Sequence, residues 1–219
     1  GDMIMLSDPY SVGGAVSHCN DWLVLLPVFK DGRLIAYTSM FGHQSDIGGK
    51  VPGSMPIDAT SIFQEGVRIP PIKIFKGGVY NEDLIKLIMH QTRTPDWCKA
   101  DLNALIASCR VAARRVVEMA ERFGDDEFVS ACEELLARNS RAMQKLIDTA
   151  ISEEKVSFED YICDDGMGFG PYKIKCTMWR ENGRVVLDFD GTDPQSVASI
   201  NFFLNENMMR MFFGIYMIM

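Results

Sequence analysis

Residues 18–46 read His18-Cys19-Asn20-Asp21, then WLVLLPVFK (22–30), Asp31-Gly32, RLIAYTSMFG (33–42) and His43-Gln44-Ser45-Asp46. Asp-Gly between two apolar runs signals a tight β-hairpin, because glycine accepts the positive φ that such a turn requires. Antiparallel pairing through this turn returns the end of the second strand to the start of the first. His43 therefore comes back to the sheet end where His18 and Asp21 lead in, and local pairing alone gathers two imidazoles and a carboxylate. That donor set suits zinc, manganese or iron(II) and leaves positions open for water or substrate. A catalytic metal needs such positions, whether it serves as a Lewis acid or as a source of hydroxide. Asp8, just upstream, and Asp46, three residues after His43, are candidates to complete or orient the shell or to act in catalysis. The plainer reading is that His18 and His43 are hydrogen-bonded loop residues, since a His-x-x-Asp spacing arises often by chance.

Outward from the hairpin, the chain divides into three regions. Residues 1–93 carry short strands among glycine- and proline-rich loops, beginning with Met3-Ile4-Met5-Leu6 and ending in a short helix over 81–89. Residues 94–154 predict two helices of nearly thirty residues. Thr94 suits an N-cap, Pro95 the first helical position and Gly124 a left-handed residue past the first helix. Apolar positions repeat at helical spacing from Leu102 to Ala120 and again from Phe128 to Ala150, which predicts a long antiparallel helical hairpin whose stripes must be covered by each other or by further chain. Residues 155–219 predict a second β-hairpin, Tyr172–Trp179 and Val185–Phe189 around Asn182-Gly183, followed by a buried helix from about Ser199 or Asn201. The fold class is thus α+β, with β-hairpins around a glycine-rich site region and the three regions forming parts of one larger subunit.

A net charge of −8 with scattered Lys and Arg argues against a nucleic-acid partner, because phosphate binding needs clustered cations. The C-terminal apolar run is broken by Asn205, Glu206, Asn207 and Arg210 and falls far short of a membrane span. The six cysteines (19, 98, 109, 132, 163, 176) form no Cys-x-x-Cys pair and read as reduced, mostly buried thiols of a cytoplasmic protein. Both ends run directly into apolar segments, the expectation for an internal piece of a longer protein.

Other motifs are weaker. Gly48-Gly49-Lys50 lacks the spacing of a phosphate loop. Gly166-Met167-Gly168-Phe169-Gly170 has no helix after it, which disfavours a dinucleotide site. No Gly-x-Ser-x-Gly elbow occurs. Cys19 reads as a bystander thiol and His90 as a structural residue at a helix end.

Several longer segments together carry a family resemblance. Gly1-Asp2-Met3-Ile4-Met5-Leu6-Ser7-Asp8-Pro9-Tyr10 with Gly13-Gly14, His18 and Asp21 resembles the opening strand of hydantoinase B and oxoprolinase subunits. His43-Gln44-Ser45-Asp46-Ile47-Gly48-Gly49 with Pro52-Gly53-Ser54-Met55 resembles a second signature, and Gln64-Glu65-Gly66-Val67-Arg68-Ile69-Pro70-Pro71 a third. Arg93-Thr94-Pro95, Asp101-Leu102-Asn103-Ala104 and Asp190-Gly191-Thr192 follow in order, so the similarity spans nearly the whole chain. The family also includes acetone and acetophenone carboxylases. In the related acetone carboxylase subunit two histidines and an aspartate of these motifs hold a metal, which the resemblance carries onto His18, Asp21 and His43. Many members have a second histidine in the second motif, where this chain has Gln44. That departure bears on any role the family gives the residue, and on the substrate class.

The resemblance implies a metal-dependent subunit that works with an ATP-binding partner of the hydantoinase A type. The partner phosphorylates the substrate's amide or enol oxygen, and this subunit completes the reaction at a divalent metal (Zn, Mn or Fe), with ATP and Mg on the partner. The leading expectation is opening of a hydantoin, oxoproline or lactam ring. The alternative is carboxylation of a ketone such as acetophenone, and a third reading is a structural subunit without catalysis.

Overall fold

The structure, a computed structural model, describes residues 1–202. The helix expected from about Ser199 or Asn201 to the end lies almost wholly outside the described residues. Five strands form the first sheet: β1 (Met3–Leu6), β2 (Asp21–Lys30), β3 (Arg33–His43), β4 (Ile72–Lys76) and β5 (Val79–Tyr80). Their spatial order is β3-β2-β1-β4-β5. The β2–β3 hairpin closes as expected, with Asp31 at φ 49° and Gly32 at φ 81°. Both central turn residues are then in the positive-φ geometry whose twist matches the strands. The register pairs Trp22 with Gly42 and Asp21 with His43 at the far end.

Alternation along these strands separates a core face from a second face. Met3, Met5, Trp22, Val24 and Ile74 are buried on the core face. They meet α1 (Glu82–Met89) and α2 (Pro95–Phe123) through Ile85, Ile88 and Met89 and through Cys98, Leu102, Leu105, Ile106 and Cys109. The α2 residues recur at intervals of three and four, so one stripe faces the sheet. A Cβ on Gly42 would lie 3.2 Å from a Leu105 methyl, so glycine lets the helix settle close to β3. Burying a side chain such as Leu102 contributes about 1.5–3 kcal/mol.

Thr94 is the N-cap of α2 and Pro95 its first residue, but the Thr94 hydroxyl makes no capping bond and instead lies 3.2 Å from the Ser45 hydroxyl. Gly124 joins α2 directly to α3 (Asp125–Ala150). Its φ of 96° and ψ of 145° correct the left-handed helical conformation expected there; the position still requires glycine because φ is positive. The two apolar stripes do not cover each other along their length. Phe128 is the one buried residue of α3, and Leu135 and Leu136 are exposed.

The second sheet has the order β6-β7-β8, from β6 (Val156–Ile162), β7 (Tyr172–Glu181) and β8 (Arg184–Asp188). The β7–β8 hairpin matches the expectation, with Asn182 and Gly183 at positive φ; β6 adds a third strand. The end of α3 is tied to this sheet by Gln144 Nε2 donating to the Gly183 carbonyl at 2.8 Å. No described helix is long and apolar enough to cross a membrane.

Candidate metal centre

Asp21 opens β2 and His43 closes β3, and the ladder makes them direct partners. Directly opposed side chains lie on one face of a sheet within a few ångströms. Asp21 sits out of phase with the buried Trp22, so this pair occupies the face away from α2. His18 reaches in from the preceding loop. The result is a three-residue cluster in which one carboxylate oxygen serves two imidazoles. Asp21 Oδ1 lies 3.1 Å from His18 Nε2 and 3.3 Å from His43 Nδ1. The rings lie 4.8 Å apart at a tilt of 34°. Ser17 donates to the second oxygen, Asp21 Oδ2, at 3.3 Å and so fixes the carboxylate's rotation.

These spacings can be tested against a cation. Metal–ligand bonds near 2.1 Å place neighbouring donors about 3.0–3.4 Å apart in octahedral or tetrahedral arrangements. Both Asp21 distances fall in that interval, and the three donor atoms all lie within 4.8 Å of one another. Borderline-soft nitrogen with one hard oxygen is a donor set for zinc, manganese or iron.

Asp8 and Asp46 lie outside this group. Asp8 accepts from Tyr10 N–H at 3.0 Å and faces Arg68 at 3.8 Å. Asp46 is buried, with both oxygens occupied: Oδ1 accepts from Gly48 N–H (2.9 Å) and Arg93 N–H (3.1 Å), and Oδ2 from Gly53 N–H (2.9 Å) and the Arg93 guanidinium (2.7 Å). Burial raises its pKa, but these donors outweigh burial and hold it at about 2. Its geometry is that of a loop anchor. Gln44, beside His43, is fully buried; its Nε2 donates to the Gly42 carbonyl at 3.4 Å. The departure from a paired-histidine motif therefore lies in the protein interior. Cys19 is also fully buried, and burial, reinforced by the charges of Glu65 and Asp8, pushes its thiol up to about 12. All six cysteines are free; Cys132 and Cys163 are exposed, against the expectation that most are buried.

A cavity of about 380 Å³ opens beside His18. Its walls come from stretches far apart in the sequence: Asn20, the Ser54–Ile57 loop with Glu65, and Asp164–Gly166 with Ser199 and Ile200. Ser199 Oγ donates to the Pro56 carbonyl at 2.7 Å, closing one side. Asp165 holds its loop by accepting from Met167 N–H, Phe169 N–H, Tyr172 Oη and Ser196 Oγ; burial opposes ionisation, yet these donors keep it at about 2. Sequence reasoning did not bring these walls together. The available signal was the third family motif, which contains Glu65.

A model of the family described as hydantoinase B/oxoprolinase matches residues 1–219. The chain belongs to the hydantoinase B/oxoprolinase family. It is 31% identical over 219 residues to caprolactamase subunit beta of Pseudomonas jessenii, covering 99% of this chain and 36% of that protein. It is 27% identical over 205 residues to the acetophenone carboxylase delta subunit of Aromatoleum aromaticum, covering 92% and 29%. The crystal structure of the ATP-dependent caprolactamase from Pseudomonas jessenii superposes with a TM-score of 0.82 at 32% identity, over 92% of this chain and 34% of that one. The chain thus spans about a third of the length of these hydantoinase B-family relatives.

Proposed function

We propose that this chain forms part of a metal-dependent, cytoplasmic subunit that opens cyclic amides at the expense of ATP, together with an ATP-binding partner of the hydantoinase A type. The observation that carries the reading is the convergence of His18, Asp21 and His43 beside a cavity of about 380 Å³. Higher identity to the caprolactamase subunit than to the carboxylase subunit favours the hydrolytic branch. The description of that relative as one subunit of an ATP-dependent enzyme supports the partner.

An amide is a poor electrophile, and phosphorylation of its oxygen by the partner makes that oxygen a leaving group. Water then adds to the same carbon, the C–N bond breaks with a proton going to nitrogen, and a second water hydrolyses the resulting acyl phosphate. His18, Asp21 and His43 would hold the cation, which when bound supplies Lewis acidity and lowers the pKa of coordinated water. Ser17 keeps the Asp21 carboxylate turned toward both imidazoles. The Ser54–Ile57 and Asp164–Gly166 walls shield the substrate from bulk water.

The test is metal content by mass spectrometry of the full-length subunit, wild type against His18→Ala and His43→Ala, with ADP release measured in the complex on hydantoin, 5-oxoproline and ε-caprolactam. Near-stoichiometric metal that both variants lose, with bicarbonate-independent turnover of a cyclic amide, is the expected result. A bicarbonate requirement with a ketone would transfer the proposal to the carboxylase branch. Metal-free wild type, or variants with full turnover, would leave a structural subunit.

A further inference from the structure

Glu65 differs from the other shielded carboxylates of the chain. Asp8, Asp46 and Asp165 each accept hydrogen bonds. The Glu65 side chain, half-buried in the cavity wall, has neither a hydrogen bond nor an ion pair among the described residues. Burial raises its pKa, and only the charge of nearby His18 opposes this; a carboxylate partly withdrawn from water with no donor bonded to it points to a ligand that supplies one.

Its placement is rigid. Glu65 closes a short 3-10 turn (Ile62–Gln64), which begins with a reciprocal cap between Ser61 and Gln64. On its other side Gly66 has φ 127°, and a Cβ there would lie 2.7 Å from the Ile47 side chain. A Cβ on Gly49 would lie 2.5 Å from the Glu65 carbonyl. Two glycines therefore let the Glu65 backbone pass close against the loop that follows His43, and this aims the residue into the cavity that His18 also lines.

The chemistry of a small-ring amide matches this arrangement. Open-chain secondary amides are almost always trans and point N–H and C=O in opposite directions. A small ring forces the amide cis, so donor and acceptor lie side by side on one edge. Reading that edge requires an acceptor next to an electrophilic centre. Resting on the ring-opening function above, we propose that Glu65 is a substrate-binding residue: its carboxylate accepts a hydrogen bond from the ring N–H of the cyclic amide, which O-phosphorylation leaves in place on a protonated imidate, and thereby turns the adjacent activated carbon toward His18, Asp21 and His43. Met55, Ile57 and Ile200 supply apolar wall for the ring methylenes. Glu65 thus selects cyclic over open-chain amides.

The experiment uses the full-length subunit assembled with its partner. Glu65→Ala and Glu65→Gln are compared with wild type on whichever of ε-caprolactam, hydantoin and 5-oxoproline is turned over, and on the N-methyl form of that compound. Binding of the same amide to the metal-loaded subunit is measured by calorimetry. Loss of a charge-assisted hydrogen bond predicts a fall in kcat/KM and in affinity of about 10- to 100-fold for Glu65→Ala. Glu65→Gln, which keeps an accepting oxygen, should fall between. Metal content and assembly should match wild type. The N-methyl compound should be poor for wild type and lose nothing further in the variants. Wild-type kcat/KM in Glu65→Ala, or equal loss on the N-methyl compound, overturns the role, as does loss of metal from Glu65→Gln. A wild type that neither binds nor turns over any cyclic amide overturns the parent reading and this one together, whereas normal wild-type activity with silent variants removes Glu65 alone.

Discussion

Asp21 and His43 are registered partners across β2 and β3, and Asp21 Oδ1 stands 3.3 Å from His43 Nδ1 while also facing His18. The shared oxygen makes Asp21 the keystone of the cluster. Asp21→Asn keeps the shape and removes the charge. Metal affinity should fall by more than the roughly 10- to 100-fold typical of losing a supporting residue. Because a bound ion stabilises the folded state by about 2.7 kcal/mol at a hundredfold excess over Kd, chelation should lower the unfolding midpoint of the wild-type full-length subunit. It should leave that of Asp21→Asn where it was. Equal chelator sensitivity of the two proteins would remove Asp21 from the ligand set.

Arg93 and Asp46 give a pH-dependent latch. The Asp46 pKa is depressed from the ordinary carboxylate value of about 3.9 to about 2, so its contribution is fully present above the unfolded value and is lost as pH falls from about 4 toward 2. The depression corresponds to about 2–3 kcal/mol. Arg93→Ala removes the guanidinium at 2.7 Å and leaves the backbone donors. Urea unfolding of the full-length subunit should show a smaller loss of stability between pH 5 and about 3 in Arg93→Ala than in wild type. Parallel stability curves would mean that the backbone donors alone hold Asp46 ionised.

Cys19 adjoins His18 but is sealed in the core, with its thiol raised to about 12. At pH 8 it is protonated and out of reach of reagents. Iodoacetamide followed by peptide mapping should leave Cys19 unmodified in the native full-length subunit and alkylate it in urea. Rapid native labelling would show that the loop carrying His18 opens.

How much of this is legible in the sequence follows from the range of each interaction. The β2–β3 hairpin is local: Asp31-Gly32 sets the turn, alternation sets the faces, and the meeting of Asp21 with His43 follows from pairing alone. The candidate metal residues were therefore accessible without tertiary information. β6 was not, because the alternation in Val156–Ile162 is brief and no short turn links the strand to β7, its partner in the sheet. The cavity was also hidden, since its closing bond joins Ser199 to a carbonyl 143 positions away. Asp46 stood out by its spacing to His43, yet its function as an anchor depends on Arg93, 47 positions away. What covers the two helical stripes, each other or further chain, was not legible for a different reason. Periodicity states that a face is apolar and says nothing of what meets it.

Gly48 ties this local framework to the helices. At φ 83° it occupies a conformation that favours glycine, and a Cβ there would fall 1.8 Å from the Gln91 carbonyl oxygen. That carbonyl belongs to the link between α1 and α2, which also carries Thr92 and Arg93 to Asp46. Gly48→Ala must displace one backbone or the other, in addition to the cost of positive φ, which is about 1–3 kcal/mol. A total of at least about 3 kcal/mol is expected, which places it among the large single-residue effects. Displacement of the loop that follows His43 should also loosen the proposed metal site. Thermal unfolding and metal content of the full-length Gly48→Ala subunit should therefore both fall, whereas Gly32→Ala, where nothing lies within 4 Å of the new Cβ, should cost only the turn strain and leave metal content intact. Equal effects at the two glycines would show that positive φ alone, and not the approach to Gln91, governs the loop.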